Sequence, residues 1–156
     1  MELIRRFSPE DYARALGSWA WLGEEFSALT PRLATAFGDV FLEGPDGAFW
    51  FLDTVEGSLT RPWSSGAELQ AALNTPEGQD RYLMVGLVEA AHEAGLAPAP
   101  DQALGFTVPP VLGGAFDPVN VELIDFVVSL GIAGQIHQQV KGLPPGSPVS
   151  GLQISE

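Results

Sequence analysis

Three side chains have the chemistry of a small hydrolase: His92, Asp53 and Asp125. A histidine titrating near neutrality and two carboxylates could divide acid and base work if they met in one cleft. Nothing in their spacing brings them together. His92 lies in Glu89-Ala90-Ala91-His92-Glu93, three residues after Glu89, which puts both on one helix face. Carboxylate-bridged metal sites use this Glu-x-x-His spacing, but they need a second copy and two further glutamates. The sequence has no second copy, and its other histidine is His137. His92 therefore reads as an exposed helical side chain. Asp53 reads as the opener of a turn through Thr54, and Asp125 as a residue that faces solvent or accepts from a backbone amide.

The remaining nucleophiles lack context. Ser58, Ser64, Ser65, Ser129 and Ser147 sit in no nucleophile elbow. The glycines form neither a phosphate loop nor a dinucleotide fingerprint. The chain has no cysteine, which removes thiol catalysis, thiolate metal sites and disulfides. No enzyme, no cofactor and no metal is the expectation.

Charge is the next constraint. The chain has 7 Lys+Arg against 20 Asp+Glu, a formal net charge of −13. Such a field repels nucleic acid and anionic lipid and attracts basic proteins. It also serves plain solubility. Apart from Arg5-Arg6, basic residues occur singly, so a nucleic-acid surface is not expected. Glu24, Glu25, Asp46, Glu56, Glu77 and Asp80 fall in turns and at helix starts, where binding residues concentrate. They are the candidate contacts for a basic protein partner. The N-terminus has no apolar core behind a basic start, and no run of about 18 apolar residues occurs. A cytoplasmic protein without membrane contact is expected.

These residues must be carried by elements. The 156 residues suit one domain, large enough to bury its core without staples. Ser8-Pro9-Glu10-Asp11 starts a helix with Tyr12, Ala15 and Leu16 on one face and Gly17 as its stop. Trp19 and Trp21 read as core, with an apolar docking patch as the alternative. Residues 37–62 read as a β-meander of three strands with turns at 44–47 and 56–57. Phe49 and Phe51 share one face of the middle strand, and Trp50 and Leu52 the other. Ser64 or Ser65 caps a helix to about residue 73, and Glu68 would complete a capping box with Ser65. Thr75 opens a helix to about residue 95, with Met84, Leu87, Val88 and Ala91 inward. Residues 121–128 read as a strand and 130–140 as a helix. Residues 105–114, with Pro109-Pro110 and Gly113-Gly114, read as a shaped crossover, whose alternative use is an apolar docking patch. The whole is α+β, an antiparallel β-meander with several packed helices. Residues 1–18 read as an N-terminal helical extension, 19–141 as the domain, and 142–156 as a Pro/Gly-rich tail that is extended or mobile.

Three segments together resemble a bacterial family. They are Phe37-Gly38-Asp39-Val40-Phe41 with Gly47 and Leu52-Asp53; residues 105–114; and Asn120-Val121-Glu122 running through Ser129 to Gly134-Gln135-Ile136-His137. The chain is similar, over about 19–145, to the type VI secretion DNase-effector immunity family, formerly a domain of unknown function. Its motif residues look like scaffold, so the resemblance is more specific for family than for function. It implies an α+β protein that binds a toxin and blocks it. The implied partner is a basic nuclease effector, whose DNA-binding cleft acidic groups could occupy.

Overall fold

The computed structural model describes residues 1–143 and 151–155. The expectations on Pro144, Pro145, Gly146, Ser147 and Pro148 lie outside the described residues.

A five-stranded antiparallel sheet runs in chain order: β1 (Ile4–Arg5), β2 (Thr30–Thr35), β3 (Val40–Glu43), β4 (Phe49–Asp53) and β5 (Ser58–Trp63). The three expected strands are β3 to β5. Two further strands extend the sheet, with Ile4 opposite Thr35. β2 escapes a sequence reading because Pro31 lies inside it. Proline lacks a ladder donor, and the register shifts between Pro31 and Leu33.

Alternation along β4 feeds two cores. Phe51 joins Phe41 and Trp63 under Leu69 of α3 (Gly66–Leu73) and Leu83 of α4 (Pro76–Leu83). Leu52 faces the opposite way, toward Trp19, Tyr12 and Phe126. Helices thus cover both faces. Tyr12 comes from α1 (Pro9–Leu16), whose first turn is capped by Ser8 Oγ at 3.1 Å from the Asp11 amide. At Gly17 the α-helix ends without a left-handed stop and tightens into a 3₁₀ turn, Gly17–Leu22. That turn buries Trp19 completely, and its indole N–H donates to the Leu130 carbonyl at 2.9 Å. Trp21 donates likewise to the Gly134 carbonyl at 3.1 Å. Trp19 is core, and half-buried Trp21 packs against it. A single-turn α2 (Glu24–Ser27) leads into β2.

Two helix boundaries differ from expectation. The segment 75–95 is two helices, because Met84 adopts left-handed φ 48° and ψ 48° between α4 and α5 (Val85–Glu93). Leu83 belongs beneath Trp63, whereas Val88 and Ala91 pack on Phe37 and Leu104. One straight helix would not serve both cores, and the bend costs roughly 1–2 kcal/mol of backbone strain. The expected inward stripe packs on one core, with Leu87, Val88 and Ala91 on α5 and Met84 at the break before it. The strand expected over 121–128 stops early: β7 is Val121–Asp125 and α6 is Phe126–Lys141. Asp125 accepts from the Val128 amide at 3.0 Å, which starts the helix despite β-branched Val127 and Val128. Packing decides the matter. Phe126 stacks on Phe7 at 3.8 Å and is 1% exposed.

β7 pairs antiparallel with β6 (Gln102–Phe106), with Phe106 opposite Val121. Residues 107–120 are therefore the loop of a hairpin and not a crossover. Among the described residues no helix is long and apolar enough to cross a membrane.

Candidate functional site

The three resemblance-bearing segments converge on one seam. A cleft of about 100 Å³ opens where the β6–β7 hairpin and α6 meet the turns of the larger sheet. Its walls come from Phe37, Thr54, Phe106, Pro110, Ile136 and His137. Apolar side chains dominate, as in most small-ligand or anchor pockets.

His137 closes one end. Its Nε2 lies 2.7 Å from the Thr54 carbonyl. A carbonyl only accepts, so Nε2 carries the proton. The ring lies 5.7 Å from the Trp19 ring. On its other edge Nδ1 meets Gly57, which has φ 69°, and a Cβ there would overlap the imidazole. Both nitrogens are thus occupied or covered, and His137 is 6% exposed. The imidazole is held in place and is not presented to a substrate.

Behind Thr54 lies a buried carboxylate, Asp39, 2% exposed. Its Oδ1 accepts from the Thr54 amide at 2.8 Å and the Thr54 hydroxyl at 2.6 Å. Its Oδ2 accepts from the Thr35 hydroxyl at 3.0 Å. Burial pushes the carboxyl up to about 6, and the Asp53 charge adds to this, against the lowering effect of the threonine hydrogen bonds. Asp39 therefore clips the β2–β3 turn to the β4–β5 turn, and through Thr54 to His137. Neither Asp39 nor His137 stands out by spacing. Both lie in the resemblance segments, which was their only signal.

The hydrolase candidates do not assemble. Asp53 spends Oδ1 on the Val55 and Glu56 amides at 2.9 and 3.0 Å, opening the expected turn. Asp125 caps α6. His92 is exposed on α5, beside a separate cleft that includes Arg5 and Leu104. Asp53 borders another, with Arg61 and Tyr82.

The six acids are all exposed, on several edges of the molecule. Glu24 and Glu25 form the first turn of α2, and Glu77 and Asp80 lie on α4. Asp46 and Glu56 occupy the turns at opposite ends of β4. Asp46 is engaged already: it accepts from the Ala48 amide at 3.1 Å and from Arg61 at 3.0 Å. Those bonds, the amide first, hold its carboxyl below the usual range.

The loop 107–120 forms the outer lip of the seam. Asn120 ties it together: its Nδ2 donates to the Val108 and Ala115 carbonyls, and its Oδ1 accepts from the Val108 amide, each at 2.9 Å. At Gly114 a side chain would overlap the Val108 carbonyl, so the loop closes on itself only with glycine there.

Residues 65–137 match the family described as T6SS immunity protein Tdi1, C-terminal. The match runs from α3 into α6 and so includes the loop, the hairpin and His137. It supports a type VI secretion immunity family. No curated protein matches the chain. Among solved structures, the crystal structure of Atu4351 from Agrobacterium tumefaciens is similar, with a TM-score of 0.63 and 15% identity. The likeness covers 86% of this chain and 67% of that one, and it concerns the fold.

Proposed function

We propose that this chain is a non-enzymatic immunity protein, which binds a basic toxin of the nuclease type in the cytoplasm and blocks it. The match of residues 65–137 to an immunity family carries this reading. Two observations agree with it. The net charge of −13 suits a cationic partner. Asp53 and Asp125 are spent on a turn and a helix cap, and His92 stands exposed on α5. Glu24, Glu25, Asp46, Glu56, Glu77 and Asp80 then act as a dispersed field that steers the partner in, more than as one docking patch.

The test is a pull-down from host lysate at low and high salt, followed by an assay of the captured protein on DNA. A basic protein that degrades DNA, is bound more weakly in high salt and is inhibited by the added chain supports the proposal. Capture of no toxic protein at either salt overturns it. Capture of a basic toxin that leaves DNA intact removes the nuclease and keeps the immunity function.

A further inference from the structure

Exposed large apolar side chains are few in this molecule, and they are not scattered evenly. Val108 is 46% exposed, Phe116 58% and Val119 87%, all on the loop 107–120. A surface valine or phenylalanine alone needs no explanation, but three on one loop beside an apolar cleft form a patch. Pro109, Pro110 and Val111 of the same loop line that cleft, so patch and cleft are continuous.

The loop is ordered although its apolar tip is exposed. Asn120 clamps both of its arms. Phe116 sits edge-on to Phe106 at 5.6 Å, and Phe106 stacks on buried Phe37 at 5.1 Å. An aromatic ladder thus runs from the core to the surface and fixes the outermost ring. A rigid aromatic in an exposed, preorganised loop is the profile of an interface anchor, since little side-chain entropy remains to be lost on binding.

Charge selects the occupant. No Lys or Arg occurs between Arg81 and Lys141, whereas Glu89, Glu93, Asp101, Asp117, Glu122 and Asp125 all fall there. Asp117 lies within the loop and is exposed, and Glu122 follows it on β7. A second copy of this chain would bring acid against acid across such a contact. The described C-terminal segment lies elsewhere: Gln153 and Ser155 pair with Gln139 and Gln135 of α6.

We propose that the loop 107–120 is the anchor surface for a cationic protein: Phe116, Val119 and Val108 enter an apolar pocket of the partner, and Asp117 and Glu122 meet the Lys or Arg residues around it. This rests on the immunity reading and assigns that reading its contact surface.

The experiment compares the unaltered chain with the double variant Phe116→Ala/Val119→Ser, using the purified captured toxin and, separately, polylysine. Thermal unfolding of both chains controls for folding, and these exposed positions should leave it unchanged. The variant should bind the toxin at least about 100-fold more weakly, mainly through faster dissociation, with an unaltered salt slope. Polylysine, which reads charge alone, should bind both chains equally. Equal toxin affinity of the two chains overturns the loop assignment and leaves the immunity function standing. Equal loss of toxin and polylysine overturns it too, by showing a general effect. A dimer of the unaltered chain that the variant dissociates would mark a second copy as the occupant and overturn the proposal. If the unaltered chain captures no basic toxin, both this assignment and the immunity reading fall.

Discussion

Asp39 is the side chain with the most to say about stability. Its folded carboxyl is pushed up to about 6 from an ordinary 3.8, chiefly by burial. The folded state therefore holds this proton more tightly than the unfolded chain does. The resulting stabilisation is fully present below the unfolded value and is lost as pH rises through about 6. Two units correspond to on the order of 3 kcal/mol. Asp39→Asn keeps an acceptor for Thr54 and cannot ionise. Urea unfolding between pH 4.5 and 7.5 should thus show a flatter pH dependence for the variant than for the unaltered chain. Parallel curves would remove Asp39 as the cause. Gly57 is the second informative residue, because its left-handed φ of 69° and the His137 ring leave no room for a Cβ. Gly57→Ala should cost about 2–4 kcal/mol, from backbone strain plus overpacking. A cost near zero in chemical unfolding would show that the β4–β5 turn slides freely off α6.

Among the elements, the 107–120 loop has its two arms tied together by one side chain, on top of its own backbone hydrogen bonds. Asn120 makes three hydrogen bonds within it. Asn120→Ala should cost about 1–2 kcal/mol, because a typical net hydrogen bond is worth about 1. The loss should be local. Amide hydrogen exchange should quicken over 108–116 while the amides of β3 and β4 keep their protection. Global acceleration would mean that the loop supports the whole fold. The helix pair α4–α5 shows the opposite case. There the break at Met84 follows from two cores pulling on adjacent turns, and the residue that turns left-handed is itself neither glycine nor proline.

Across the whole molecule, charge acts through distance more than contact. The exposed acids lie on different edges, and one of them, Asp46, is already paired with Arg61. Exposed pairs of that sort are worth little to stability, about 0–1 kcal/mol. Their summed field still sets association rates. Glu24→Lys/Glu25→Lys should therefore slow toxin association and flatten its dependence on ionic strength, with dissociation nearly unchanged. The loop variants should do the reverse, so the two sets together separate steering from anchoring. An unchanged salt slope in the charge variant would remove Glu24 and Glu25 from the steering field.

The local signals were legible because their physics is local. Ser8, Ser65 and Thr75 cap helices that begin where they stand. The 44–47 and 56–57 turns join strands whose alternation assigns Phe51 and Leu52 to opposite cores. The roles of Asp53 and Asp125 as turn and cap residues also follow from their nearest neighbours. What tertiary structure alone decided rests on contacts distant in sequence. Phe126 belongs to a helix because Phe7 awaits it, although its neighbours favour a strand. β2 pairs through its proline because β1 and β3 flank it. Asp39, Thr54 and His137 form one hydrogen-bonded line only after β3, β4 and α6 have packed. The exposure of Phe116 likewise depends on where the hairpin docks, since composition records that a ring is present and not which side of it meets water.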